Sequence, residues 1–192
     1  MRTLIESDFC LEKIWEVVQL EFQKATTVKR HSFRYVVLSS ANNESVNSRW
    51  VVLRRYTERG SFLIYTDARS EKVNDFKANS LVSLLFFNDR KGLQVRVNGK
   101  VITHHKNELT KKYWPGVKGF NDQSYTSELA PGTPIKSKDE AYKWSSIMDD
   151  ENFMVLEIVP NTIDVLQLNG SEHIRAQFSA DGQSFEGTFL VP

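Results

Sequence analysis

Cysteine is almost absent. Cys10 is the only one among 192 residues, so no intrachain disulfide can form. A lone thiol fits a reducing compartment, and the cytoplasm is the expected location. Cys10 itself reads more naturally as a small buried apolar residue than as a reactive thiol. Long apolar runs are missing too. No stretch approaches the ~20 apolar residues a membrane span needs. Arg2, Glu6 and Asp8 break any apolar run at the start, so no signal peptide is expected. Neither sign of charge dominates: 25 Lys and Arg face 24 Asp and Glu, for a net charge of +1. That balance argues against nucleic acid or an anionic membrane as partner. The chain also lacks a Gly-rich nucleotide loop, a Cys-x-x-Cys pair and a Gly-x-Ser-x-Gly elbow, which removes the commonest nucleotide, redox and serine-hydrolase signatures. His104 and His105 are adjacent, and neighbours on a strand point to opposite faces, so no metal site is expected there. Asp149-Asp150-Glu151 reads as a solvated helix end.

What is present is ordinary globular material, 40% hydrophobic, enough for one sizeable core and one domain over residues 1–192. Leu11, Ile14, Trp15, Val18 and Phe22 fall at helical spacing, giving an amphipathic helix capped near Asp8. From Phe33 the pattern becomes β-rich. Strands are expected over 33–38, 49–56, 61–66, 81–88, 93–104, 152–169, 172–179 and 184–191. Asn98-Gly99 suggests a bulge, Pro160 an interruption, and Asp181-Gly182 a hairpin turn. Helices are expected over 71–78, 106–114 and 137–148, and a loop over 115–133. Short turns between strands, with helices set between them, predict a mainly β, antiparallel barrel with peripheral helices.

The positive chemical evidence is cationic. Arg49, Arg54, Arg69, Lys72, Arg96 and Arg175 lie in or beside strands. A solvated strand face accounts for most of them. Arg69-Ser70-Glu71-Lys72 stands apart because it joins a strand to a helix start, where free N–H groups, a hydroxyl and cations can hold a phosphate.

These motifs, in this order, resemble the pyridoxamine 5′-phosphate oxidase-like FMN-binding split barrels, and in particular their oxidase-related bacterial branch. The similarity runs from about Phe33 to Pro192. It rests on Arg49-Trp50-Val51-Val52-Leu53-Arg54, Tyr65-Thr66, Arg69-Ser70-Glu71-Lys72, Leu93-Gln94-Val95-Arg96-Val97, Tyr113-Trp114, Val159 to Asp164, Arg175 and the final Val191-Pro192. The resemblance implies an antiparallel split β-barrel and FMN as cofactor, bound across a homodimer interface. By it, Ser70 and Lys72, helped by Arg69 or Arg49, would hold the FMN phosphate. The backbone of Val51 and Val52 would face the flavin edge, Tyr65 and Thr66 would line the phosphate and ribityl side, and Gln94 would bond the ring. Arg175 would come from the other subunit. Arg54, Tyr113 and His173 would contact substrate.

The sequence departs from the family pattern mainly where substrate is held. Val117 stands where an Arg is expected, and Ser171 at the first Arg position near His173. An aromatic is missing near Leu166, and a flavin-contacting Gln-Ser pair is missing near Ser127-Glu128-Leu129-Ala130. The resemblance therefore implies an FMN-dependent oxidoreductase of unassigned substrate. The alternatives are a non-catalytic flavin carrier or sensor, and a barrel for another ligand such as single-stranded nucleic acid or haem.

Overall fold

The computed structural model describes residues 3–42, 44–117, 123–145, 147, 149–181 and 184–192. The elements in chain order are helix α1 (Leu11–Thr27), β1 (Tyr35–Ala41), β2 (Val46–Tyr56), β3 (Phe62–Asp67), helix α2 (Glu71–Ala78), β4 (Leu81–Asn88), β5 (Leu93–His105), helices α3 (Glu108–Tyr113) and α4 (Gln123–Thr126), β6 (Phe153–Gln167), β7 (Ile174–Asp181) and β8 (Ser184–Leu190). The strands form one antiparallel sheet in the order β3-β2-β1-β4-β5-β6-β7-β8. A further β3–β6 pairing closes the first six into a barrel, from which β7 and β8 extend as a hairpin. This is the antiparallel barrel with peripheral helices that the short turns predict, and the split barrel that the resemblance implies. Closure removes the edges of β3 and β6 that an open sheet would leave unpaired.

Alternation sets which residues fill the barrel. Val36, Leu38, Leu53, Phe62, Ile64, Leu84, Phe86, Val95, Val97, Leu156, Ile158 and Ile163 are all inside and essentially solvent-free. Helix α1 packs over one end. Its Phe22 meets Phe62 edge-on at 4.8 Å between ring centres and also touches Phe33, Tyr56 and Phe86. On the same helix Trp15 packs on Phe178 and Phe185, which ties α1 to the β7–β8 hairpin. Helix α2 packs near the opposite end, where β1 ends and β2 begins, and adds Val73 and Phe76 to the core. A second apolar cluster lies outside β3 and β6. There Leu63, Phe153 and Val155 are covered by Val117, Tyr125, Tyr113 and Trp114.

Two irregularities matter. Gly99 lies at the expected bulge, where the β5–β6 register shifts between Asn98 and Gly99. A Cβ there would overlap the Val159 carbonyl and come within 2.9 Å of Pro160 Cα, so only glycine fits. The bulge also lets β6 run unbroken through Pro160, where an interruption is expected from the sequence. The second irregularity is in β2. Leu53 pairs with Ile64 and Arg55 with Leu63, which leaves Arg54 as an extra residue.

Several boundaries move. Helix α1 continues to Thr27 because Ala25 extends its buried face, and its N-cap is Cys10, not Asp8. Cys10 is exposed, which corrects its reading as buried. The helix expected over 137–148 is replaced by a single turn, Lys138–Ala141, that buries nothing, and Met148 lies outside the described residues. Without a face to pack, local propensity does not sustain a helix. Asp149-Asp150-Glu151 is accordingly a turn before β6. Gly182 of the expected hairpin turn also lies outside the described residues. Among the described residues no helix is long and apolar enough to cross a membrane.

Candidate functional site

The strand ends near α2 gather cations and hydroxyls. Antiparallel pairing puts the end of β1, the start of β2 and the end of β3 at the same rim, so Ser40, Arg49 and Thr66 converge there. Ser70 is the N-cap of α2. It is 5% exposed, yet its hydroxyl makes no capping bond to the helix. The first N–H groups of a helix have no intrahelical partner. Lys72 Nζ donates to Thr66 Oγ1 at 3.0 Å, and no carboxylate among the described residues forms an ion pair with it. Burial pulls the Lys72 pKa down from its ordinary value, and the nearby Arg49 charge pulls it further, against a smaller opposing pull from Asp67.

Arg49 and Arg69 are anchored differently. Arg49 donates to Ser40 Oγ at 2.7 Å and lies 3.5 Å from Asp75. Asp75 also accepts from Ser40, Asn42 and Asn47, so α2 is pinned to β1 and β2 by a web around one buried carboxylate. Arg69 grips both oxygens of Asp67 at 2.7–3.0 Å and donates to the Ser127 carbonyl at 2.9 Å. It holds the following segment against β3 instead of pointing a free charge into the rim.

The neighbouring residue, Tyr65, faces the other way. On the outer side of β3 its ring meets Phe153 at 5.1 Å and Tyr113 at 5.9 Å. Arg54 stands 5.6 Å over the Tyr65 ring, and Arg54, Tyr65 and Tyr113 line one cleft of about 250 Å³. Burial pushes the Tyr65 hydroxyl pKa up, partly offset by Arg55. Thr66 and Tyr65 thus join the rim to the cleft through consecutive residues.

The other expected site residues lie elsewhere. The backbones of Val51 and Val52 are paired with Val36 and Tyr35 inside the sheet. Gln94 pairs with Leu166, which pairs with Arg175, so these three share the outer face of β5, β6 and β7. Arg175 donates to Asp164 at 2.9 Å, and Arg96 approaches the same oxygen at 3.4 Å. His173 sits in the turn before β7 and accepts from the Asn169 N–H at 3.1 Å. One chain therefore assembles Arg49, Thr66, Ser70 and Lys72 at one rim and Arg54, Tyr65 and Tyr113 in the adjoining cleft. Gln94, Arg175 and His173 are set on other strands and turns. His104 and His105 take separate partners, Glu157 and the Glu151 carbonyl.

Sequence reasoning did not single out Arg34, Arg55 and Lys112, which also line the cleft, or Asp75. For Asp75 there was one available signal: an acid between Val73 and Phe76 on a short helix is drawn toward the core side.

The donor set at the rim suits an anion carrying several oxygens. A pyridoxamine 5′-phosphate oxidase family model matches residues 23–165. A pyridoxine/pyridoxamine 5′-phosphate oxidase from Cytophaga hutchinsonii is 33% identical over 104 residues, which is 54% of this chain and only 45% of that protein. One from Legionella pneumophila is 23% identical over 82% of this chain and 77% of its own length. Among solved structures, a pyridoxamine 5′-phosphate oxidase-related, FMN binding protein from Nostoc punctiforme superposes with TM-score 0.74 at 18% identity, covering 93% of this chain and 97% of that one. PhzG from Burkholderia lata, in complex with tetrahydrophenazine-1-carboxylic acid, superposes with TM-score 0.76 at 15% identity, covering 93% and 92%. At these identities the two structures establish the shared fold. With the family model spanning most of the barrel, the chain belongs to the pyridoxamine 5′-phosphate oxidase family.

Proposed function

We propose that this protein binds FMN and acts as an FMN-dependent oxidoreductase of small molecules. The observation that carries the reading is the rim at α2. Among the described residues Lys72 has no carboxylate ion-pair partner and the Ser70 hydroxyl makes no capping bond, and Arg49 stands beside them. This is a donor-rich cradle with the chemistry of a phosphate site. Ser70, Lys72 and Arg49 would hold the FMN phosphate, while Arg69 secures the segment around Ser127 that borders it. Thr66 and Tyr65 would line the ribityl side, the backbone of Val51 and Val52 the flavin edge, and Gln94 the ring. When bound, the flavin would supply hydride and electron transfer, which no side chain of this chain can perform. The protein's part is to bind, orient and exclude water. Arg54, Tyr113 and His173 are the expected substrate contacts.

The separation of Gln94 and Arg175 from the rim favours a site completed by a second copy. Trp50, Val37 and Leu85 adjoin on the outer sheet face and run toward Arg96 and Asp164, so the exposed apolar band leads to Arg175. We therefore read the assembly as a homodimer, with Arg175 of each subunit reaching the partner's flavin. The lone exposed Cys10 fits a reducing compartment such as the cytoplasm.

The test is the visible absorption spectrum of the purified protein, with any released chromophore identified. FMN in the released fraction supports the reading. A colourless protein that also fails to take up added FMN overturns it. A non-catalytic flavin carrier is the second reading, favoured by Val117, which is 5% exposed in an apolar cluster and supplies no charge to substrate. Turnover with a panel of amines and nicotinamide donors separates the two. Reoxidation no faster than that of free FMN favours the carrier.

A further inference from the structure

One buried carboxylate on the outer face of the sheet serves two arginines. Strand pairing sets Gln94, Leu166 and Arg175 in one row across β5, β6 and β7, and Arg96, Asp164 and Gln177 in the next row on the same face. Asp164 is therefore the diagonal neighbour of Arg175, within reach of a long side chain. It is 3% exposed, and a carboxylate so buried needs a charged partner. Asp164 has two. Arg175 meets its Oδ2 side-on, with Nη2 at 2.9 Å and Nε at 3.3 Å. Arg96, on the strand at the other side, reaches the same oxygen through Nη2 at 3.4 Å.

The two contacts are unequal. Arg175 commits two N–H groups to Asp164, and Arg96 commits one at the longer distance. Pairing through Nε and Nη2 locks the plane of the Arg175 guanidinium and leaves its Nη1 hydrogens directed away from the carboxylate. The cluster also differs in charge from its counterparts. Arg49 with Asp75 and Arg69 with Asp67 pair one to one. Here two arginines share a single acid, and among the described residues neither has another, so one positive charge is left in excess. A long side chain that is loose on a surface loses rotamer freedom when it grips a ligand, and one already held loses less.

We propose that Asp164 is a positioning residue: it fixes the direction of the Arg175 guanidinium, so that the remaining donors of Arg175 are ordered before a ligand arrives. Arg96 is the secondary partner, which helps to neutralise the buried acid. Asp164 acts only through Arg175. That the ligand is the flavin of a second copy rests on the proposed homodimeric FMN site; the ordering of Arg175 by Asp164 does not.

The test has two readouts. The first is a double-mutant cycle on FMN affinity, measured by fluorescence titration. Asp164→Asn keeps the side-chain volume and removes the charge, and the two arginines it releases are exposed enough to take up water. Asp164→Asn and Arg175→Ala are each expected to weaken FMN binding at least ~5-fold, the scale of one lost hydrogen bond. The double variant should lose no more than Arg175→Ala alone, because Asp164 acts through that side chain. Asp164→Glu, which restores the charge, should recover most of the affinity, and Arg96→Gln should stay within ~3-fold of wild type, as for a weak, partly exposed ion pair. Losses that add in the double variant, or an equal loss in Arg96→Gln, mark a carboxylate that merely holds the sheet and overturn the proposal. The second readout needs no flavin. In proton–nitrogen NMR spectra of the FMN-free protein, the Arg175 Nε–H signal, identified by its absence in Arg175→Ala, should be protected from exchange in wild type and in Arg96→Gln and lost in Asp164→Asn. Rapid exchange in wild type, or a signal unchanged in Asp164→Asn, overturns the proposal whatever the protein binds. If Arg175→Ala leaves FMN affinity unchanged, the flavin contact fails and the Nε–H signal alone decides whether Asp164 orders Arg175, so the two readings fail separately.

Discussion

Lys72 is held by a hydroxyl and faces a second cation. Its Nζ donates to Thr66 Oγ1 at 3.0 Å, and Arg49 is close enough to pull its pKa down. An anion at this rim would relieve both the missing partner and the repulsion. Ser70→Ala/Lys72→Ala should therefore weaken FMN binding by at least ~2 kcal/mol, the scale of losing charge-assisted hydrogen bonds, or about 30-fold. Fluorescence titration of FMN checks it. Unchanged affinity in a folded double variant would rule out the rim as the phosphate site.

The same relationship predicts opposite effects on stability and binding. Burial first, and Arg49 second, lower the Lys72 pKa from 10.5. The folded protein thus binds this proton less tightly than the unfolded chain does. The charged side chain costs stability below the lowered pKa, and the cost is relieved as pH rises toward the ordinary value. Lys72→Met should leave the FMN-free protein as stable as wild type or more so near neutral pH, while weakening FMN binding. In wild type, FMN affinity should fall as pH climbs through the lowered pKa. Lys72→Arg, which keeps its charge, should flatten that fall. Thermal melts without FMN and titrations across the alkaline range read both effects.

Asp75 works in the other direction. Its hydrogen bond from Ser40, with those from Asn42 and Asn47 and the Arg49 charge, outweighs burial and holds its pKa below the ordinary 3.8. A depressed carboxylate adds stability that is fully present above the ordinary value and is lost as pH falls through the lowered one. Asp75→Asn should remove that part of the acid limb of a melting-temperature profile. It should also weaken FMN binding, because Arg49 and α2 lose their shared anchor. An unchanged acid limb would mean that Asp75 does not hold this end of the barrel.

How legible all this was in the chain depends on the range of the forces involved. Period-two alternation is local, so the core positions of β5 could be read directly, and Asn98-Gly99 announced its own bulge, whereas β4 is apolar on both faces and only its pairing separates Leu84 and Phe86 inside from Leu85 and Phe87 outside. The rim was legible because Ser70 and Lys72 sit at a strand-to-helix junction that carries its chemistry in four consecutive residues. The cleft was not. Arg55 reads as lying opposite Arg54 until the pairing of Leu53 with Ile64 and of Arg55 with Leu63 shows the extra residue, and that register is a property of two strands together. Residues 137–148 misled for a related reason. Helical spacing of Ala141 and Trp144 was present, but Tyr142 remains 63% exposed and Trp144 38%, so no buried face formed to hold a helix.

Gly99 gives a sharp steric prediction. A side chain there meets the Val159 carbonyl and Pro160 across the strand, both backbone atoms that cannot move aside without disturbing β6. Gly99→Val should cost roughly 2–3 kcal/mol in urea unfolding, the range for forcing extra atoms into a packed site. Gly116→Ala is the matched control, since a Cβ there meets nothing within 4 Å, and its effect should stay within ~0.5 kcal/mol. Similar losses at both positions would show that the bulge does not require glycine.

The outer sheet face carries the last prediction. Trp50 is 68% exposed, Tyr35 58% and Phe87 47%, and Leu85 adjoins them through Val37. Large side chains in one band on a folded surface mark a contact surface more often than a solvated one. If a second copy covers this band, Trp50→Glu/Leu85→Glu should convert dimers to monomers in light scattering while leaving the fold intact, because neither side chain reaches the barrel core. FMN uptake should fall in the same variant, since Arg175 lies along the same outer face and is proposed to reach the partner's flavin. Arg175→Ala should lose affinity while remaining dimeric, which separates assembly from contact. A double variant that stays dimeric would remove this face as the interface. Monomers that bind FMN as tightly as wild type would show that each chain holds the cofactor unaided.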